Sequence, residues 1–111
     1  MDINITAENL LIQLDNKVTD ATLAQMNKII DNTNGFDSFS KHILSLKDEL
    51  AHLHGYINMS NSKDYLKIKT DLDSVNAVEE FDSIVHKWAQ KYKVAVDKVA
   101  DKNTYYIIGL L

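Results

Sequence analysis

Residues 36–57 read Phe-Asp-Ser-Phe-Ser-Lys-His-Ile-Leu-Ser-Leu-Lys-Asp-Glu-Leu-Ala-His-Leu-His-Gly-Tyr-Ile, and their spacing governs how the rest of the chain is read. Phe36, Phe39, Ile43, Leu46, Leu50, Leu53 and Ile57 stand 3, 4, 3, 4, 3 and 4 residues apart, the interval of a helix packed along a seam. Between them lie Asp37, Ser38, Lys41, Ser45, Lys47, Asp48 and Glu49, which make a solvated outer face, with Asp37 and Lys41 as a favourable i,i+4 pair. Gly55 is able to end this helix one turn early, leaving His52 and His54 in a last turn where positive charge suits the helix dipole.

A second seam of equal length follows: Val78, Phe81, Val85, Trp88, Tyr92, Ala95 and Val99, again at intervals of 3 and 4. Asn76 and Glu79 before it match a capping box. Tyr65, Ile68, Leu72 and Val75 keep helical spacing between the two seams, and the Gly55-to-Ser62 connection can reverse the chain. Toward the amino terminus, Thr6 and Thr19 are N-cap candidates, with Ile5 and Leu10, then Val18 and Leu23, placed as hydrophobic staples. Asn32-Thr33-Asn34-Gly35 is a helix stop. The expectation is an all-α single domain over 1–111, with helices near 6–18, 19–33, 36–57, 63–73 and 76–100. Its architecture would be an antiparallel helical hairpin elaborated into a four-helix or longer bundle with coiled-coil-like seams.

One stretch competes with that reading. Tyr92-Lys93-Val94-Ala95-Val96 alternates with period two, Asp101-Lys102-Asn103 can turn, and Thr104-Tyr105-Tyr106-Ile107-Ile108 is rich in strand formers. The chain from 92 to 108 therefore reads either as helix and tail or as a β-hairpin. In the tail 104–111, Tyr105, Tyr106, Ile107, Ile108, Leu110 and Leu111 must be covered by the domain's own core, by strand pairing or by another chain.

Composition narrows the function. A chain of 111 residues that is 45% apolar holds one core, and with no cysteine it has neither disulfides nor thiolate chemistry. The formal net charge is -4, and all 12 basic residues are lysine. Without arginine forks or a cationic excess, nucleic acid is not an expected partner. No run of 18 apolar residues and no basic-then-apolar leader is present, so no membrane span and a cytoplasmic location are expected.

Few residue patterns carry chemistry. Glu49 and His52 have the Glu-x-x-His spacing of helical metal sites, and Asp82 and His86 stand at i,i+4, but all four fall off the apolar seams. Asp82, Ser83 and His86 supply the residue types of a hydrolytic triad on one helix, where they cannot align. Three separated glycines make no phosphate-cradling loop. Ala51-His52-Leu53-His54-Gly55 resembles the phosphoacceptor stretch of histidine phosphotransfer domains, which implies a helical bundle and a phosphorylatable His52. The resemblance covers five residues and departs from the family where His54 and Gly55 stand.

The leading expectation is a non-enzymatic helical interaction module without cofactor, self-associating through the seams, with a homodimer as the first form. Two alternatives remain: a small chaperone or adaptor for another helical protein, and a metal-binding or phosphotransfer bundle centred on His52, with Glu49 beside it.

Overall fold

The computed structural model describes residues 6–111, and within them the chain is α+β rather than all-α. Three helices come first: α1 (Ala7–Gln13), α2 (Asp20–Asn32) and α3 (Phe36–Leu50). A 3₁₀ turn, Ala51–Leu53, leads into the hairpin of β1 (Gly55–Met59) and β2 (Leu66–Thr70). Then come α4 (Val75–Tyr92) and a second hairpin, β3 (Val94–Lys98) and β4 (Thr104–Leu110). The four strands form one antiparallel sheet in the order β1-β2-β4-β3. The expected bundle and its coiled-coil seams are thus replaced by helices packed on a sheet.

The helix termini follow local chemistry. The Thr6 hydroxyl accepts from the Asn9 N–H at 3.1 Å to cap α1, and Ile5 lies outside the described residues. Thr19 and Thr22 exchange side chain and backbone bonds in a capping box at the start of α2. Ser74, not Asn76, caps α4 through the Ala77 N–H.

The long seam of 36–57 breaks after Leu50. His54 takes a left-handed conformation (φ 53°), and a Cβ on Gly55 would stand 2.6 Å from the Cβ of Leu50, so only glycine permits the chain to fold back this closely. Ile57 fits the seam by spacing because it stands four positions after Leu53. In β1 it points inward with Met59, two residues on.

The expected helix over 63–73 is β2 instead. Leu66-Lys67-Ile68-Lys69-Thr70 alternates buried and half-buried side chains without exception, and inward Leu66 and Ile68 meet Ile107 and Tyr105 across β4. The expected helix over 76–100 ends at Tyr92, with Lys93 left-handed (φ 58°) as its C-cap. Val94-Ala95-Val96 then forms strand, and of the two readings of 92–108 the β-hairpin is the observed one. Pairing decides here, because β4 offers β3 a ladder of partners, interrupted by one register shift between Ala95 and Val96, that a helix could not use.

One core lies between the sheet and the helices. Ile57, Met59, Leu66, Ile68, Tyr105 and Ile107 from the sheet pack with Leu10, Leu11, Met26, Ile29, Phe39, Ile43, Leu46, Phe81 and Val85 from the four helices. The end of β4 is locked to the α2–α3 junction, where the Leu110 N–H donates to the Asn34 carbonyl at 2.7 Å. Gly109, at φ 149°, passes so near that a Cβ would lie 2.8 Å from the Asn34 backbone nitrogen. The tail is a central strand of the sheet.

Candidate functional site

The sheet has a second face. Strand alternation sends Tyr56, Asn58, Lys67, Lys69 and Tyr106 to the side away from the core, and cross-strand register sets Asn58, Lys67, Tyr106 and Asp97 in one rung. Tyr56, Lys69 and Thr104 form the next. On this face lies a cleft of about 270 Å³ lined by Ser60, Asn61, Ser62, Lys67, Lys69, Val99, Lys102, Thr104 and Tyr106.

Two loops shape it. The β1–β2 connection is closed by the Ser60 N–H donating to the Tyr65 carbonyl at 3.0 Å, and its Ser62 hydroxyl lies 3.2 Å from the Tyr106 hydroxyl. The α1–α2 hairpin holds the loop from outside: Gln25 Nε2 donates to the Ser60 carbonyl, and Asn32 Nδ2 to the Asp64 carbonyl. Nearby, Asn16 Nδ2 donates to Asn58 Oδ1 at 2.9 Å beside the edge strand. From the opposite end, the β3–β4 turn brings Lys102, fixed by its N–H to the Val99 carbonyl and by the left-handed Asp101 (φ 61°).

The lining is chemically one-sided. Three lysines, four hydroxyls and one carboxamide face the cleft, and none of the lining residues is a carboxylate, although the chain as a whole carries a net charge of -4. Among the described residues, the ion pairs are Lys47–Asp15 and His52–Glu80, so neither Lys67, Lys69 nor Lys102 has an acidic partner within 4.0 Å. The Tyr106 phenol is perturbed by its neighbours. Hydrogen bonds from the Ser62 and Ser60 hydroxyls, with the Lys63 and Lys102 charges, hold its phenol below the ordinary value of 10.0 against the opposing effect of desolvation. Such a cradle of ammonium and hydroxyl donors suits an oxyanion.

The residues singled out from sequence fall elsewhere. Phe36, Phe39, Ile43, Leu46, Leu50, Leu53, Ile57, Phe81, Val85 and Trp88 are buried in the chain's own core. Val78, Tyr92 and Val99 are half-buried. In the tail, Tyr105 and Ile107 are core residues, Tyr106, Ile108 and Leu110 are half-buried, and Leu111 is exposed. Only Val99 and Tyr106 of these line the cleft.

Glu49 and His52 do not converge. Glu49 lies on the rim of a groove of about 510 Å³ between α3 and α4, with Ile84, Trp88 and Tyr92 as its apolar floor and Lys87 and Lys91 beside it. His52 Nε2 sits 3.1 Å from Glu80 Oε1 across to α4. Asp82 accepts the Tyr105 phenol proton at 2.8 Å, and His86 lies 3.4 Å from the same phenol oxygen. These three groups tie α4 to the sheet, and Ser83 is exposed apart from them. No set of three His, Asp or Glu side chains able to share a metal is found among the described residues.

Lys67 and Lys69 had a sequence signal, the Lys-x-Lys step between Leu66, Ile68 and Thr70. Read with period two, it places both ammonium groups on one face. The contribution of Lys102 and Ser62 comes from the two hairpin loops at opposite ends of the sheet, which no local pattern announces.

Comparison with known proteins returns no match: no family model, no curated protein and no solved structure is significantly similar to the chain. Among the described residues, no helix is long and apolar enough to cross a membrane. The functional reading therefore rests on the site itself.

Proposed function

We infer that this chain is a binding module that holds an anionic group of its ligand on the outer face of the sheet. The observation that carries the reading is the convergence of Lys67, Lys69 and Lys102, unpaired with any carboxylate among the described residues, with the hydroxyls of Ser60, Ser62, Thr104 and Tyr106 in one cleft. Gathering like charges costs free energy through mutual repulsion, and an incoming anion relieves it. The lining supplies hydrogen-bond donors and positive charge, which is what holding an anion requires.

Self-association, or capture of a helical partner, is the second reading of the chain as an interaction module. Most of the seam side chains that prompted it are internal, while Trp88 and Tyr92 also line the α3–α4 groove of about 510 Å³, the surface such contacts would use. No feature of that groove selects its occupant.

The test is a titration of the protein with inorganic phosphate, followed by backbone amide resonances. Ser62, Lys69, Lys102 and Thr104 are expected to shift together and saturably, and the shifts to vanish in a Lys67→Gln, Lys69→Gln, Lys102→Gln variant with an unchanged circular dichroism spectrum. Raising ionic strength should weaken the effect, since exposed charges are screened. Shifts scattered over the other lysines, or shifts undiminished in the folded triple variant, would overturn the reading.

A further inference from the structure

The cleft continues. A second cavity of about 360 Å³ is lined by Lys69, Thr70, Asp71, Leu72, Asp73, Lys102, Asn103 and Thr104. Lys69, Lys102 and Thr104 line both, so the two form one groove running from Ser62 at one end to Asp73 at the other.

The charge along this groove changes sign. Lysines occupy the part over the sheet, and the Asp71 and Asp73 carboxylates occupy the part beyond the end of β2. Neither aspartate stands within 4.0 Å of a lysine ammonium among the described residues. The segment that carries them is held in place: the Thr70 N–H donates to the Asn103 carbonyl at 3.3 Å, the Leu72 N–H to the Thr70 hydroxyl at 3.2 Å, and Asn103 Nδ2 to the Leu72 carbonyl at 3.5 Å. The Thr70 hydroxyl in turn donates to the Leu53 carbonyl at 2.7 Å, which anchors the segment to the start of the first hairpin.

Resting on the anion-binding reading above, we propose that the groove takes a dipolar small ligand, a phosphate monoester carrying an ammonium group at its other end. The phosphate sits among Lys67, Lys69, Lys102 and the hydroxyls, and the ammonium lies against Asp71 and Asp73. A polyanion fits poorly, because any continuation past Lys69 meets the two carboxylates. The advance of two extended residues from Lys69 to Asp71, about 7 Å, sets the scale of the separation between the two poles. A phosphate and an amine joined by a hexyl chain reach that far.

The probes are hexyl phosphate and aminohexyl phosphate, matched except for the terminal amine, titrated against the full chain and followed by amide resonances. The amino compound is expected to bind about three- to fivefold more tightly, the gain typical of one exposed ion pair, and to shift Asp71, Leu72 and Asp73 as well as Lys69 and Thr104. In a folded Asp71→Asn, Asp73→Asn variant the advantage disappears while hexyl phosphate binds at least as well as before. Equal binding of the two probes at the lysine end would overturn the dipolar ligand and leave the anion cleft standing. Failure of both probes to shift Lys69, Lys102 and Thr104 would overturn the two readings together.

Discussion

Tyr105→Phe removes one oxygen atom from the join between α4 and the sheet. The Tyr105 side chain is buried, its phenol donates to Asp82 Oδ1 at 2.8 Å, and its ring packs against Phe81 with centroids 5.9 Å apart and edge-on to His86 at 5.6 Å. Phenylalanine keeps both ring contacts, so the change isolates the hydrogen bond. A bond to a charged acceptor contributes about 1.5 to 3 kcal/mol, and because Asp82 is only half-buried water can replace the lost donor, which places the cost near the lower end, about 1.5 kcal/mol. For a domain of this size that corresponds to a fall of about 6 °C in Tm, read by circular dichroism at neutral pH.

The same bond makes a second, independent signature at alkaline pH. Burial first, then the Asp82 hydrogen bond and charge, push the Tyr105 phenol above its ordinary value of 10.0. The folded state therefore keeps a proton that the unfolded state releases. Stability from this group is fully present below pH 10 and is lost as pH rises above it. Tyr105→Phe should remove that part of the alkaline loss. An unchanged Tm together with an unchanged alkaline slope would refute the role given to the Tyr105–Asp82 bond.

Two further outcomes are expected. His42 stacks on Tyr92 at 3.7 Å with an interplanar angle of 14°, and desolvation, then the charges of Lys41 and Lys91, lower its pKa from 6.5. The unfolded chain thus binds a proton that the folded one resists, so this contribution is complete above pH 6.5 and is lost as pH falls below it. His42→Phe should keep the stack and flatten stability over that acidic window, as read by urea unfolding at a series of pH values; an unaltered acid slope would count against it. Gly109→Ala adds a Cβ 2.8 Å from the Asn34 nitrogen at a φ of 149°, and a cost of about 2 kcal/mol or more is expected in urea unfolding. A cost below about 0.5 kcal/mol would mean that the Asn34–Gly109 approach does not constrain the end of β4.

The amphipathic helices were legible because their signals are local. Thr6 and Thr19 cap α1 and α2 through hydroxyls three residues from the amides they bind, and Phe36, Phe39, Ile43, Leu46 and Leu50 share one face of α3 by spacing alone. The first hairpin was not legible in the same way. Tyr65, Ile68 and Leu72 satisfy helical spacing, whereas Leu66, Ile68 and Thr70 satisfy strand spacing over the same residues, and a chain without proline has little to separate the two. Ile68 belongs to both patterns. What selected the strand is the presence of β4, whose Ile107 and Tyr105 stand opposite Leu66 and Ile68.

The candidate site divides along the same line. Lys67 and Lys69 are neighbours on a face as soon as β2 is known to be a strand. Ser62 reaches Tyr106 from 44 residues away, and Lys102 arrives from the other hairpin. The absence of arginine and the net charge of -4 describe the chain as a whole, while binding responds to the groups at the site, and the lining of this cleft gathers three lysines.

By itself, then, the sequence determined that this chain would bury one apolar core without disulfides, where α1, α2 and α3 begin, and which faces of its helices turn inward, because capping and periodicity act within a few residues. Tertiary structure alone decided that 55–70 and 94–110 are β-hairpins, that most of the seam side chains pack into a core within one chain, and that lysines from two hairpins, unpaired among the described residues, meet over the outer face. Strand pairing and charge convergence join residues tens of positions apart, and their free energy exists only once the chain has brought them together.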